Sequence, residues 1–170
     1  MINIRKANLD DIGDITEIYN EAILNTIATF DTKPKTVEEQ IIWFKERSDK
    51  NPILVVEKNG TIVGWASLSK WSDKSAYSDT AEISLYIFKK HQGKGIGRKL
   101  FRAILHEGQK VGLHAVITMI TVGNEKSVHL HESEGFFNIG VMKEVGYKFG
   151  KRLDVILMQK IYGNSSDKIN

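Results

Sequence analysis

The stretch Lys89–Phe101, KKHQGKGIGRKLF, concentrates glycines and basic residues at one point of the chain. It follows a β-rich run, Thr80–Phe88, and leads directly into a run with helical periodicity. A glycine loop at the start of a helix suits a phosphate group, because the first helical amides are free and glycine lets a ligand approach the main chain. The stretch therefore predicts a phosphate-binding loop, and a plain glycine-rich turn is the alternative. The loop glycines are Gly93, Gly95 and Gly97.

Two well-known phosphate loops do not fit this pattern. A P-loop requires Ser or Thr after its Gly-Lys pair, whereas Lys94 is followed by Gly95. The dinucleotide fingerprint has Gly-x-Gly-x-x-Gly spacing early in a repeating βαβ unit. Here the spacing is Gly-x-Gly-x-Gly in mid-chain, so neither a P-loop nor a dinucleotide site is predicted.

Working outward, the hydrophobic periods predict an α/β domain with a mixed sheet. Asn59-Gly60 predicts a hairpin turn between two strands, and Thr36 with Glu39 has the spacing of a capping box. The other predicted elements are a helix capped by Asn8, a helix from Ile96 to Val111, a buried strand in HAVITMITV (114–122), a short helix from Glu125 to Glu134, and two strands around EVGYKFGKRLD (144–154).

Composition restricts the class of protein. The 170 residues contain no cysteine and carry a net charge of +3, which is too weak and dispersed to predict a nucleic-acid-binding face. No run is long and apolar enough to predict a membrane span or a signal peptide, so we expect a cytoplasmic protein. We predict one domain over residues 1–163, followed by a polar tail over 164–170.

Gln92–Gly97, opening a helix after a strand, resembles the acetyl-CoA signature of the GNAT superfamily of N-acetyltransferases. Four stretches resemble its phosphinothricin and methionine sulfoximine acetyltransferase branch more closely. They are YNEAILNTIATFDTKP (19–34), AYSDTAEISLYI (76–87), LHESEGF (130–136) and VGYKFGKRLDVILMQ (145–159). The resemblance implies the GNAT fold, a mostly antiparallel sheet whose central parallel pair splays at the acetyl-CoA site, with helices on both faces. It also implies acetyl transfer to the α-amino group of a small amino-acid analogue, by a homodimer.

The resemblance assigns acetyl-CoA to the splayed strand, the glycine loop and the segment after the buried strand. Main-chain groups of Leu85, Tyr86 and Ile87 are expected to pair with the pantetheine arm, although side chains cannot test this. The remaining expected cofactor contacts are Gln92, Gly93, Lys94, Gly95, Ile96, Gly97, Arg98, Asn124, Ser127 and Ser133. A helix cap is the alternative for Asn124.

Two residues are expected to be catalytic. Glu82 matches the family's glutamate and would remove a proton from the acceptor's ammonium group, because only the neutral amine attacks a thioester. A surface glutamate is the alternative. His131 stands where many superfamily members place a tyrosine that protonates the departing thiolate, and histidine supplies protons in the same pH range. A solvated helix histidine is the alternative.

HLHESE (129–134) also contains metal-ligand types. Helical metal pairs use spacings of three or four residues, and His131 with Glu134 lacks a clear third partner, so we expect no metal.

By resemblance, the acceptor contacts are Phe30, Lys74, Tyr77, Lys148 and Phe149. Lys74 stands near a position where relatives commonly have arginine, and Asp79 replaces a bulkier residue, so the identity of the acceptor stays open. Trp65 and Trp71 are either walls of this pocket or core residues. Without cysteine, a thiol acyl-enzyme is excluded and direct transfer is expected. The alternatives are an acetyltransferase for polyamines or proteins, or a non-catalytic coenzyme A sensor.

Overall fold

A computed structural model describes residues 1–163, and the predicted tail at 164–170 lies outside the described residues. The strands are β1 (Ile2–Lys6), β2 (Ile53–Lys58), β3 (Thr61–Lys70), β4 (Thr80–Ile87), β5 (Ala115–Thr121), β6 (Phe137–Lys148) and β7 (Lys151–Ile161). The α-helices are α1 (Ile12–Asn25), α2 (Val37–Lys45), α3 (Ile96–Lys110) and α4 (Glu125–Ser133). Short 3-10 helices cover Leu9–Asp11, Ser75–Tyr77 and Lys89–His91.

The described strands form one sheet in the order β1-β2-β3-β4-β5-β7-β6. Every neighbouring pair is antiparallel except β4 and β5, which are parallel. Helices α1 and α2 cover one face, where Ile12, Ile15 and Ile18 pack with Val55 and Trp65. Helices α3 and α4 cover the other face, where α3 supplies the fully buried side chain of Phe101. The predicted α/β fold with its central parallel pair is confirmed.

Local signals in the sequence are confirmed where they concern turns and caps. Asn59 and Gly60 both adopt positive φ, 53° and 81°, as a two-residue hairpin turn with the right twist requires. The Thr36 hydroxyl accepts from the Glu39 amide while the Glu39 carboxylate accepts from the Thr36 amide, so the capping box is complete.

The structure differs from the predicted elements in three places. β1 was not expected, because its pairing with β2 joins residues about fifty positions apart and leaves little local pattern. Asn8 caps a 3-10 turn, and α1 begins only at Ile12. The run 144–154 is not a connection between strands: β6 and β7 continue through it and turn only at Phe149 and Gly150, both with positive φ.

Candidate active site

The candidate site is a cleft that opens where the two parallel strands separate. β4 and β5 pair only over Thr80 to Glu82, opposite Ala115 to Ile117. Beyond Glu82, β4 stays with β3 and β5 stays with β7, so no strand within residues 1–163 covers the edge of β4 from Ile83 to Ile87. A cavity of about 460 Å³ fills the gap. The predicted site residues that line it are Phe30, Glu82, Leu85, Tyr86, Asn124, Ser127 and His131.

Glu82 is the last residue of β4 that pairs with β5, and it lines this cavity. Its partial burial raises the pKa of the carboxyl group above the usual 4.5, because a charged carboxylate is poorly solvated there. No cation within residues 1–163 forms a salt bridge with it. A carboxylate with a raised pKa and no fixed partner is suited to accept a proton from a ligand.

His131 lies in α4, only 6% exposed, with its ring edge-on to Phe101 and Phe136 at centroid distances of 4.6 and 4.9 Å. Its Nδ1 lies 2.7 Å from the Ser127 carbonyl oxygen, a contact that requires a hydrogen on Nδ1. Burial lowers the pKa of His131 to about 4, so the ring is neutral near pH 7. Its Nε2 then carries a lone pair and no hydrogen, which opposes the expected role of His131 as the donor to a leaving thiolate.

The start of α4 shows that Asn124 caps the helix. Its Oδ1 accepts from the Ser127 amide at 3.3 Å, and Asn124 also lines the cavity. At the other end of α4, the Ser133 hydroxyl donates to the Leu130 carbonyl and accepts from Arg98 of α3 at 3.3 Å. Arg98 and Ser133 therefore tie the helix after the glycine loop to the helix that carries His131.

The glycine loop forms an open cradle at the start of α3. Gly93 and Gly95 have φ values of 74° and 76°, which favour glycine, and Gly95 occupies the cap position. No side chain of the described residues caps α3, so its first amides are not engaged by a side chain. Ile96 is buried and anchors the helix, while Gln92 Nε2 donates to the Ile87 carbonyl at 2.9 Å and Lys94 Nζ to the Lys90 carbonyl. The loop is thus free to hold an anion beside the open edge of β4.

Gly97 shows that this cradle is open on the ligand side. A Cβ at Gly97 would come no closer than 3.8 Å to any protein atom, Leu85 and Ile87 being its nearest neighbours. The protein's own packing therefore does not require glycine at this helical position. A ligand lying against the main chain would require it, which agrees with the fit of a diphosphate here.

The residues expected to hold the acceptor are only partly brought together. The Phe30 ring packs directly on the main chain of Gly146 in β6. A Cβ at position 146 would lie 2.1 Å from the Phe30 ring, so the ring can occupy this place only beside a glycine. Lys148 is buried and donates from Nζ to the Thr29 carbonyl at 2.8 Å, beside Phe30, and burial lowers the pKa of this lysine. Phe149 is exposed next to Lys148. Tyr77 is exposed on the Ser75–Tyr77 turn, Lys74 is exposed directly before that turn, and neither residue lines the cavity.

A polar cluster beside the cavity was missed by sequence reasoning. Tyr19 of α1 donates from its hydroxyl to Asp31 at 2.6 Å and lies 3.0 Å from the Thr29 hydroxyl. The only available signal was a tyrosine on the otherwise aliphatic face of α1. Trp65 proves to be a core residue that also walls a second cavity, whereas Trp71 walls neither cavity.

Over residues 1–163, no three His, Asp or Glu side chains gather as metal ligands. None of the helices in the same range is long and apolar enough to cross a membrane.

The buried neutral imidazole of His131 predicts a specific loss of stability in acid. The pKa of His131 is about 4 in the folded protein against 6.5 for the free side chain, so protons bind preferentially to the unfolded chain as the pH falls through 6.5. The free energy of unfolding should fall between pH 7 and pH 5 by about 2 kcal/mol from this group. Urea unfolding at the two pH values measures it.

His131→Asn, which removes the titration and keeps an N–H donor, should reduce that pH dependence. His129→Asn is the matched control, since His129 is exposed on the same helix. An unchanged pH dependence in His131→Asn would show that the imidazole is not held neutral.

Comparison with known proteins identifies the family. Residues 4–157 match the acetyltransferase (GNAT) domain. The chain is 39% identical over 159 residues to an L-amino acid N-acyltransferase of Escherichia coli, covering 93% of this chain and 92% of the relative. It is 38% identical to an L-methionine sulfoximine/L-methionine sulfone acetyltransferase of Salmonella typhimurium, covering 93% of each.

A solved structure adds the cofactor to this comparison. The fold superimposes, with a TM-score of 0.92 and 30% identity, on a phosphinothricin acetyltransferase from Sinorhizobium meliloti in complex with acetyl-CoA. The match covers 99% of this chain and 92% of that one. The family match covers residues 4–157, which include the strand that separates after Glu82 and the glycine cradle. The chain belongs to the GNAT acetyltransferase family.

Proposed function

We propose that this protein is an acetyl-CoA-dependent N-acetyltransferase that moves an acetyl group directly to the α-amino group of a small amino-acid analogue. The observation that carries the proposal is Glu82, a partly buried carboxylate placed where the β4–β5 pairing ends. The names of the relatives, which act on L-amino acids and on methionine sulfoximine or sulfone, support this acceptor class. Residues 1–163 form the catalytic unit in this proposal.

Acetyl-CoA fits the residues of the cleft. The cradle at Gly93–Gly97 offers free helical amides to a diphosphate, with Lys94 and Arg98 adding positive charge nearby. Main-chain groups of Leu85 and Tyr86, on the uncovered edge of β4, offer the pairing of an added strand to an extended amide-bearing arm. In this assignment Ile87 contributes less, because its carbonyl already accepts from Gln92. The bound cosubstrate supplies an acetyl thioester.

Glu82 begins the reaction by accepting a proton from the acceptor's ammonium group, directly or through water. The neutral amine attacks the thioester carbon, the C–S bond breaks, and an N–H of the β4 edge holds the carbonyl oxygen as its charge grows. The products are an N-acetyl amino acid, free coenzyme A and one proton. His131 in its neutral tautomer positions α4 against Phe101, and the thiolate takes its proton from the attacking amine or from water.

We propose that the acceptor side of the site is closed by Phe30 and by the turn at Lys148 and Phe149. Lys148 holds the Thr29 carbonyl and so fixes the segment that carries Phe30. Lys74 and Tyr77 remain proposed acceptor contacts, on a turn that would have to approach the cavity when the acceptor binds.

We extend the proposal to a homodimer that uses the outer face of β6. β6 is the last strand of the sheet and pairs only with β7 among the described strands. Its exposed side chains are mainly apolar, which is unusual for a surface strand and typical of an interface. They are Phe137, Ile139, Val141, Val145 and Tyr147. Because a cysteine-free chain needs no oxidising compartment, we place the enzyme in the cytoplasm.

Replacing Glu82 tests the catalytic proposal. Glu82→Gln should lower kcat by about 100-fold or more, the contribution of a general base, while acetyl-CoA affinity is unchanged. Thiol release and calorimetric binding of acetyl-CoA measure the two quantities. Because the carboxylate must be deprotonated and its pKa is raised, kcat/KM of the wild type should fall with decreasing pH through a midpoint above 4.5. Equal thiol release by wild type and variant would favour a coenzyme A sensor.

Gly97→Ala tests the cradle. Since a Cβ there touches no protein atom closely and alanine is the better helix former, the variant should keep or raise its melting temperature. It should nevertheless bind acetyl-CoA at least about tenfold more weakly, because the methyl group occupies the ligand's place. Gly13→Ala, in the open on α1, is the control that changes helix propensity alone. Unaltered acetyl-CoA affinity in Gly97→Ala would exclude the cradle as the binding site.

Val145→Lys tests the dimer. A charge on the exposed face of β6 should convert a dimer to a monomer, because a buried lysine without a partner is strongly unfavourable. Sedimentation equilibrium measures the mass. Ile42→Lys is the control, since Ile42 is as exposed but lies on α2. A wild-type monomer, or a dimer that survives Val145→Lys, contradicts the proposal.

A further inference from the structure

A second cavity of about 350 Å³ lies beside the first, between α2 and the surface of β3 and β4. Three serines line it, Ser67 and Ser69 of β3 and Ser84 of β4. Ser69 is the residue of β3 that pairs directly with Glu82 of β4. Opposite residues of an antiparallel pair have their side chains on the same face, with Cβ atoms about 5 Å apart. The Ser69 hydroxyl is therefore a polar neighbour of the proposed base.

Arg47, directly after α2, is a half-buried cation without an acid partner. Its guanidinium lies 4.8 Å from the centroid of the Trp43 ring, and it donates from Nε to the Asn51 carbonyl at 2.9 Å and from Nη2 to the Leu68 carbonyl at 2.5 Å. No carboxylate within residues 1–163 forms a salt bridge with it. Burial lowers the pKa of Arg47 to about 10, so the side chain is still charged near pH 7.

The remaining recorded hydrogen bond of this guanidinium goes to Ser69. Arg47 Nη1 donates to the Ser69 Oγ at 3.1 Å. A guanidinium is planar and its N–H directions are fixed, so the two carbonyl contacts hold Nη1 against the serine. Because the donor occupies a lone pair of the hydroxyl, the hydroxyl hydrogen points away from Arg47. A hydroxyl that accepts from a cation is also polarised, which makes it a stronger donor.

The direction left to the Ser69 hydrogen is the one that matters for Glu82. Within residues 1–163 the Ser69 hydroxyl donates to no other group. It lines the second cavity and has the longer side chain of Glu82 opposite it. A hydrogen bond to a carboxylate favours its ionised form, whereas the burial of Glu82 raises the pKa of its carboxyl group. A donor at Ser69 therefore opposes the effect of burial on the base.

We propose that Arg47 is a positioning residue for the base: it orients the Ser69 hydroxyl, and this hydroxyl holds the Glu82 carboxylate in its ionised form. The hydroxyl donates to Glu82 directly or through one water. The proposal rests on the proposed function, in which Glu82 accepts a proton from the acceptor. Neither Arg47 nor Ser69 takes part in that proton transfer.

The titratable groups nearest Glu82 keep their charge between about pH 5 and pH 9. Burial raises the pKa of Tyr19 in α1 and raises that of Tyr86 in β4 to about 12, and it lowers the pKa of His131 in α4 to about 4. β5, which faces Glu82 with Ile117, contains no titratable residue. The charged groups on the other surrounding elements are Asp31 with Lys35 after α1, Glu39 on α2, Lys70 with Asp73 after β3, Lys50 with Asp79 before β4, and Lys148 on β6.

The charge state of Glu82 can be measured without any substrate. In protein labelled with ¹³C at the side-chain carboxyl of glutamate, Glu82→Gln identifies the Glu82 signal, and a pH titration gives its midpoint. Ser69→Ala should raise this midpoint by about one pH unit, because one hydrogen bond to the charged form is lost. Ser69→Thr keeps the hydroxyl and should keep the midpoint of the wild type.

Ser67→Ala is the matched control. Ser67 lies on the same face of β3, opposite Ser84, and Arg47 does not donate to it. Its replacement should leave the Glu82 midpoint unchanged. A midpoint that stays in place in Ser69→Ala, or that moves equally in Ser67→Ala, overturns the proposal.

The part played by Arg47 is tested by a double-mutant cycle. Arg47→Met should raise the Glu82 midpoint, but should raise it far less when Ser69 is already alanine, because the effect passes through the hydroxyl. Arg47→Lys serves if Arg47→Met fails to fold, and it should act in the same direction because lysine lacks the fixed fork that holds Nη1. The same rise with and without the Ser69 hydroxyl would show that Arg47 does not act through Ser69.

The pH profile of thiol release separates positioning from structural support. In Ser69→Ala the acid limb of kcat/KM should move to higher pH by about one pH unit, which is about a tenfold loss on that limb, while the plateau above pH 8 is kept. An equal loss at every pH would show structural support only and contradict the proposal. If Glu82→Gln keeps its thiol release, the proposed base is wrong, and the carboxyl titration still decides whether Ser69 and Arg47 hold Glu82 ionised.

Discussion

The structure depends on one interruption of hydrogen bonding, between β4 and β5. Three residue pairs join these parallel strands, and beyond Glu82 each strand keeps its other partner. An uncovered strand edge inside a sheet is costly unless a ligand pairs with it, since main-chain polar groups need partners. The interruption therefore leaves both an open cavity and the main-chain groups that, in the proposed function, pair with an extended amide. It also places Glu82 at the entrance to that space.

Burial shifts the pKa values of two groups beside the interruption in opposite directions. Burial raises the pKa of the Glu82 carboxyl and lowers the pKa of the His131 imidazole, because in each case the charged form loses solvation. The two shifts have opposite consequences for chemistry. Glu82 becomes a stronger base than an exposed glutamate. His131 stays neutral near pH 7, so it has no imidazolium proton to donate. The two shifts support the proposed assignment of Glu82 as the base and of His131 as a residue that packs α4 against Phe101.

Much of this arrangement was predictable because it is encoded locally. The glycine loop, the Asn59-Gly60 turn and the Thr36 capping box each depend on a few neighbouring residues, and the structure forms all three. Resemblance to a known family led to Glu82, Asn124 and His131, which line one cavity. The tautomer of His131 was not predictable, since it depends on the Ser127 carbonyl one helical turn away and on two phenylalanine rings that fold against it.

The features that escaped prediction arise from residues that are far apart in sequence. β1 is defined by its partner in β2, and the second cavity by side chains from α1, α2, β3 and β4. A strand pattern shows that Trp65 points to a buried face, but it does not show that the surrounding residues leave its N–H unpaired. A cavity lined by several elements is therefore less visible in the sequence than a single residue where a strand pairing ends. Glu82 was predicted as the base from one strand, whereas the second cavity required side chains from four elements.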